Sequence, residues 1–198
     1  MKKILKFSSM MFCILAMVIS CGQNPEENAK NKVAEELGID KSDLENQSYY
    51  SLTIQKGTLK GVQFSVPDYV STYDGFRADE NGNVQLTSVT FVDPQQGNST
   101  ANISWDGNQT KALSANPDAT EGTFLEFKLK KDGKDYHFTS ISGQTKVESY
   151  EDVNIKDEMI NHTFTKRNVN MSFSGLFKEN ISGEEVKIEG IVQFVNSK

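Results

Sequence analysis

The chain has 198 residues, a formal net charge of −6, two cysteines and two histidines. This length suits one domain of ordinary size or two very small ones. The acidic balance argues against a nucleic-acid-binding protein, which normally carries a basic face or tail. Two cysteines are too few for a disulfide scaffold or a four-cysteine zinc site, and two histidines leave few options for metal or triad chemistry.

The first twenty residues have the pattern of a secretory signal. Lys2, Lys3 and Lys6 make a basic start, and an apolar run follows over residues 10–19. The run is shorter than the roughly 20 apolar residues that a membrane-spanning helix needs. The pattern therefore predicts a signal peptide over residues 1–20.

The signal ends in a specific four-residue motif. Val18-Ile19-Ser20-Cys21 resembles the lipobox of bacterial lipoproteins. The resemblance implies cleavage between Ser20 and Cys21, a diacylglyceryl group on the Cys21 thiol and acylation of the new amine. Two or three acyl chains give a lasting membrane anchor, whereas one chain gives only marginal binding.

A tether is predicted after the anchor, over residues 21–48. Gly22 stands where lipoproteins of the inner membrane of enteric bacteria carry an aspartate, so the resemblance implies an outer-membrane location. Pro25 suits the first turn of a helix, and Gly38 is placed to end it. We therefore expect a short N-terminal helix between the lipidated cysteine and the main body.

From Tyr49 onward the apolar residues alternate with polar ones, which is the pattern of β-strands. About eight to ten short strands are separated by turn residues, and no long helical pattern lies between them. Asp132-Gly133, between two alternating runs, is the clearest hairpin turn. The pattern predicts an all-β domain over residues 49–198, an antiparallel sandwich or barrel; it does not choose between the two.

The C-terminal region carries a second resemblance. Residues 172–177, residues 183–190 and Phe194 resemble the closing hairpin of small β-rich Bacteroidota outer-membrane lipoproteins of unknown function. The resemblance implies an all-β fold and implies no activity.

Motifs for catalysis are absent from the sequence. His137 and His162 are the only imidazoles, and neither is accompanied by a Gly-x-Ser-x-Gly nucleophile motif. The paired carboxylates are typical of the solvated surface of an acidic protein. We therefore predict a protein with no catalytic residues, no bound metal and no cofactor.

Aromatic residues are the candidates for a ligand site. Tyr69, Tyr73 and Phe76 lie in a stretch, residues 67–83, that has no clear alternation and is interpreted as irregular. Loops on a rigid scaffold often hold binding residues, and exposed aromatic rings stack on sugars or anchor partner proteins. Trp105, the only tryptophan, is a further candidate, although its alternation with Ile103 also suits a core position.

Three classes of function remain open on this sequence. The first is a non-catalytic binding or accessory lipoprotein that contacts a glycan or a protein, with a lipocalin-like carrier as a variant. The second is a structural or envelope-assembly lipoprotein that holds a partner at the membrane. The third, and least supported, is an enzyme of an unrecognised type. Whether the body faces the periplasm or the cell exterior, and its oligomeric state, are not determined by the sequence.

Overall fold

The chain folds into a strand-rich body preceded by a short helical segment. The computed structural model describes residues 25–67, 71–78, 80, 84–93, 97–104, 107–118 and 121–196. Helix α1 spans Pro25–Leu37, and a 3-10 helix spans Lys41–Asn46. The strands are β1 (Tyr49–Lys56), β2 (Gln63–Pro67), β3 (Ser71–Ala78), β4 (Val84–Asp93), β5 (Gly97–Ser104), β6 (Thr110–Ser114), β7 (Thr123–Lys131), β8 (Lys134–Asp157), β9 (His162–Glu179) and β10 (Glu185–Phe194).

All ten strands belong to one open sheet, in the order β2-β1-β10-β9-β8-β6-β7-β5-β4-β3, and β7 also pairs with β8. The all-β prediction is confirmed. The strands pair antiparallel except at one short contact, where Leu113 of β6 lies beside Thr123 of β7 in a parallel pair. The predicted hairpin turn is also confirmed, since Lys131 pairs with Lys134 and both Asp132 and Gly133 have positive φ.

The sheet folds over so that its two halves face each other as a sandwich. Strands β1 and β7 are far apart in the sheet order, yet the rings of Tyr50 on β1 and Phe127 on β7 are 5.2 Å apart. Phe64 of β2 likewise lies 5.6 Å from the ring of Tyr136 on β8. Lys131, at the end of β7, donates a hydrogen bond to the Gln63 carbonyl and so ties the two halves together.

The interior is filled by side chains from both halves. The apolar residues that alternate along β1, β9 and β10 are buried, and they form one cluster with those of β4, β5, β7 and β8. Aromatic rings lie at its centre: Phe127 contacts Phe173 and Phe177 as well as Tyr50. Burial of these alternating residues on one face leaves the opposite face of each strand to the outside.

The N-terminal segment packs on the outer face of the sheet. Val33 and Ala34 of α1 are buried against Tyr49 of β1 and Ile191 of β10, together with Leu44 of the 3-10 helix. The side chain of Gln193, on β10, donates hydrogen bonds to the carbonyl groups of Leu44 and Gln47. In the described part of the chain, no helix is long and apolar enough to cross a membrane.

Candidate binding groove

Two of the aromatic residues predicted as a ligand site, Tyr73 and Phe76, lie on β3. The prediction of an irregular segment over residues 67–83 is wrong for Ser71–Ala78, which forms β3 and pairs with β4. Asp74 and Gly75, two residue types that are rare in strands, interrupt the alternation there. Tyr73 and Phe76 are therefore strand residues, and their side chains lie outside the described part of the structure.

The other predicted site residues are not placed by the structure. Four of them lie outside the described residues: Tyr69, Trp105 and the lipidation residues Ser20 and Cys21. The described structure therefore brings none of the sequence-predicted site residues together.

A different surface, the outer face of the sheet, has the geometry of a binding site. A groove of about 800 Å³ runs across it, open to solvent and lined by residues of β1, β2, β6, β8, β9, β10 and α1. The strand register builds this groove from two adjacent rows of side chains. We call it the outer groove.

The first row crosses five neighbouring strands and is polar throughout. Each residue pairs directly with the next one across the ladder. From β2 to β8 the row is Gln63, Thr53, Glu189, Ser174 and Gln144. Four strand spacings of about 4.8 Å give this row a length of roughly 19 Å, which suits an elongated ligand.

The second row is formed by the residues two positions away from the first row on each strand, and it is also largely polar. From β2 to β6 it is Ser65, Ser51, Ile191, Ser172, Lys146 and Thr110. Ile191 contributes no exposed apolar surface, because α1 covers it and leaves it 2% exposed. The floor of the groove is therefore a band of hydroxyl and amide groups with ionic groups beside them.

Helix α1 makes one wall of the outer groove. Lys32 reaches from the helix to the first row, where its ammonium group donates a hydrogen bond of 2.9 Å to Gln63 Oε1. The next two residues of the helix, Val33 and Ala34, pack against the sheet and hold the helix in place. The segment that follows the predicted lipid anchor is thus part of the groove.

A glycine in β10 lets the strands below the groove pack closely. A Cβ atom on Gly190 would lie 2.2 Å from the Ser51 carbonyl oxygen and 2.8 Å from the ring of Phe173. Phe173 lies beneath the floor, where it is 4% exposed and stacks on Phe127. The groove floor is supported from below by the aromatic core, so it is expected to be rigid.

The charges in the groove balance. Among the described residues of its lining, two lysines, Lys32 and Lys146, and two glutamates, Glu148 and Glu189, are charged. The Lys146 ammonium lies 2.6 Å from the Glu148 carboxylate. Glu189 accepts a hydrogen bond from Gln55. Such a lining has hydrogen-bond donors and acceptors in quantity but no strong field of either sign.

The histidines lie away from this lining. His137, on β8, is half-buried, and its Nε2 atom lies 2.6 Å from Glu126 Oε1 of β7. His162 is exposed at the start of β9. Among the described residues, no group of three or more His, Cys, Asp or Glu side chains is placed to hold a metal ion.

Sequence reasoning missed the outer groove because it followed the apolar residues. The same alternation that predicts the core also places Thr53, Ser174 and Glu189 on the opposite face of their strands. Their rows become visible only through the pairing of β1 with β10 and of β10 with β9, which joins strands distant in sequence.

Three comparisons, with models of protein families, with curated proteins and with solved structures, find no match to this chain.

Proposed function

We propose that this protein is a lipid-anchored, non-catalytic binding protein of the outer membrane, and that its outer groove holds a neutral glycan. The observation that carries the proposal is the pair of adjacent polar rows across the sheet. Hydroxyl and amide side chains can both donate and accept hydrogen bonds, as the hydroxyl groups of a sugar do.

The lining favours a glycan over other classes of ligand. An apolar ligand requires a site lined mainly by hydrophobic side chains, whereas Phe173 and Ile191 in this groove are almost fully covered. A nucleic acid requires an excess of basic groups, and here the lysines are matched by Glu148 and Glu189. An apolar peptide side chain would likewise find no pocket among the hydroxyls and amides of the two rows.

The membrane anchor is the second part of the proposal. The lipobox resemblance of Val18-Ile19-Ser20-Cys21 supports a lipid on Cys21. An acidic body is not attracted to an anionic lipid surface, so attachment would depend on the acyl chains. With Cys21 only four residues before Pro25, the start of α1, the groove wall would lie close to the membrane.

The test is binding of a panel of neutral oligosaccharides to the purified full-length protein by isothermal titration calorimetry. The double variant Gln144→Ala/Ser174→Ala removes two adjacent groups of the first row. Each lost hydrogen bond is worth about 0.5–1.5 kcal/mol, so we expect the affinity to fall about tenfold. The matched control, Asn154→Ala/Thr163→Ala, changes exposed polar residues far from the groove and should bind as the wild type does.

Two results would contradict the glycan part of the proposal. One is equal affinity of the groove variant and the control variant for every sugar that binds. The other is the absence of binding across the panel, together with a partner protein that co-purifies with the wild type; that result would support the envelope-assembly alternative.

A further inference from the structure

The hairpin formed by β8 and β9 extends beyond the rest of the sheet. Strand β9 pairs with β10 only from Val169 onward, and β8 pairs with β6 no further than Lys146. From Val153 to Asp157, β8 pairs with β9 over five residue pairs, the last of them with His162. In the described part of the chain these pairs have no third strand beside them. We call residues 153–166 the β8–β9 arm.

The arm is long enough to reach well past the sandwich. Five residue pairs at about 3.4 Å each give a projection of roughly 17 Å. The turn at its tip, residues 158–161, contains Asn161 with a φ of 49°.

The tip of the arm exposes two large apolar side chains. Met159 is 96% exposed and Ile160 is 62% exposed. Together they form a small apolar patch at the end of a projecting hairpin, and exposed apolar patches mark sites of contact with a protein or a membrane. Ile181, which is 65% exposed, lies in the turn between β9 and β10 at the opposite end of the sandwich.

The arm projects from the end of the sheet where the first turns of α1 lie. Phe194, at the end of β10, pairs with Val169, and the arm starts three residues beyond that pair. The first turns of α1 lie at this same end, since Glu27 and Lys30 line a surface depression with Gln193. The four residues from Cys21 to Pro25 can span at most about 14 Å. The stretch from Cys21 to Pro25 and the arm therefore have similar maximum lengths.

The acidic and basic residues of the arm balance, with two of each sign. Lys156 lies 3.0 Å from Glu158, and Arg167 lies 3.1 Å from Asp152 at the base of the arm. A nearly neutral hairpin with an aliphatic tip suits the interface of a largely zwitterionic bilayer, where apolar side chains enter the boundary between headgroups and acyl chains.

We propose that the tip of the β8–β9 arm, with Met159 and Ile160, inserts into the surface of the membrane that holds the lipid anchor. This second contact rests on the anchor part of the proposed function and is independent of the glycan part. Together with the anchor, it would restrict the orientation of the body on the membrane, because a body held at two separated points can rotate only about the line that joins them.

The test uses an environment-sensitive fluorophore on the full-length lipoprotein in vesicles of phosphatidylethanolamine with a minor fraction of phosphatidylglycerol. The fluorophore NBD is attached in one sample to Ile160→Cys and in the matched control to Ile181→Cys. Acylation of Cys21 leaves its thiol unreactive, and mass spectrometry of the N-terminal peptide establishes whether Cys21 is acylated. Lipids with spin-labelled acyl chains serve as quenchers.

We expect NBD at position 160 to show blue-shifted emission and strong quenching by the labelled lipids, while NBD at position 181 stays water-like and unquenched. Water-like emission at both positions on a protein with acylated Cys21 would overturn the arm proposal and leave the anchor standing. A blue shift at position 160 without lipid quenching would indicate a protein contact and would also overturn it. An unacylated Cys21 would refute the anchor, and the membrane contact of the arm with it.

Discussion

Gly175 of β9 lies directly opposite Gly143 of β8, and the Cδ1 atom of Leu113 occupies the space above both. Ideal Cβ atoms on Gly175 and Gly143 would lie 2.4 Å and 3.1 Å from that methyl group. The Leu113 side chain thus packs against the backbone of β8 and β9 at two positions that carry no side chain. This close contact lies beside the outer groove, since Ser174 and Gln144 are the neighbours of the two glycines in sequence.

We predict that Gly175→Ala destabilises the protein. Its Cβ atom would lie 2.4 Å from both the Leu113 methyl group and the Ser142 carbonyl oxygen, and the backbone atom has little room to shift. Overpacking of this kind costs about 1–3 kcal/mol, more than the roughly 0.5–1 kcal/mol that alanine gains over glycine in a strand. Urea denaturation measures the change in the free energy of unfolding. Lys178→Ala, an exposed substitution on the same strand, should change it little, and equal stability of the two variants would refute this account of the close approach.

Phe127 should be the most costly ring to remove, because it is 2% exposed and lies at the centre of the aromatic cluster. Its ring lies 5.2 Å from that of Tyr50 and 5.5 Å from that of Phe173, which belong to different parts of the folded sheet. We expect Phe127→Ala to lower the free energy of unfolding by about 3–5 kcal/mol. The control is Lys130→Ala, on the same strand with an exposed side chain. A loss of less than about 1 kcal/mol would show that the two halves of the sandwich are not packed through this ring.

Glu179 organises the turn between β9 and β10. Its carboxylate accepts hydrogen bonds from the backbone N–H groups of His137, Ile181 and Ser182. Burial by itself favours the protonated form of the Glu179 carboxyl, but hydrogen bonds from Ser182 and then from the backbone outweigh burial. They hold the pKa below its ordinary value of 4.5.

Because the pKa of Glu179 is lowered in the folded state, we predict that the carboxylate's contribution to the stability of the protein is lost in acid. A carboxyl group with a lower pKa in the folded state stabilises the fold above the unfolded pKa, and the stabilisation disappears as the pH falls through the folded value. Glu179→Gln should therefore cost about 1–3 kcal/mol at pH 7, because hydrogen bonds to a charged acceptor are lost, and much less once the pH falls below the folded-state pKa of Glu179. Denaturation curves at several pH values measure this difference. The exposed substitution Glu185→Gln is the control, and a Glu179→Gln deficit that does not shrink in acid would contradict the assignment.

The alternation of apolar residues was enough to predict the fold class. Val186 and Ile188 on β10, like Leu52 and Ile54 on β1, are buried as period two requires. One strand that escaped prediction, β3, has Asp74 and Gly75 at its centre. The local propensity of these residues disfavours a strand, and the pairing with β4 overrides it.

The candidate site was much less predictable than the fold. Thr53 and Glu189 are adjacent in the groove, yet 136 positions of chain separate them and only the β1–β10 register brings them together. Polar residues on the outer face of a strand look alike whether they bind a ligand or only contact water. The parallel contact between β6 and β7 could not be predicted either, because no local pattern around Leu113 or Thr123 specifies it.

The lipid anchor gives the last prediction, the effect of Cys21→Ala on location. Without the thiol that would carry the diacylglyceryl group, the chain has no acyl attachment, and its acidic body gives no electrostatic attraction to an anionic membrane. The variant should move from the membrane fraction to the soluble fraction of lysed cells, while Cys13→Ala, within the predicted signal peptide, should stay with the membrane. Protease treatment of intact cells then determines which way the body faces: digestion of the wild type places the outer groove at the cell exterior, and protection until the outer membrane is opened places it in the periplasm. A Cys21→Ala protein that stays as firmly membrane-bound as the wild type would refute lipidation at this residue.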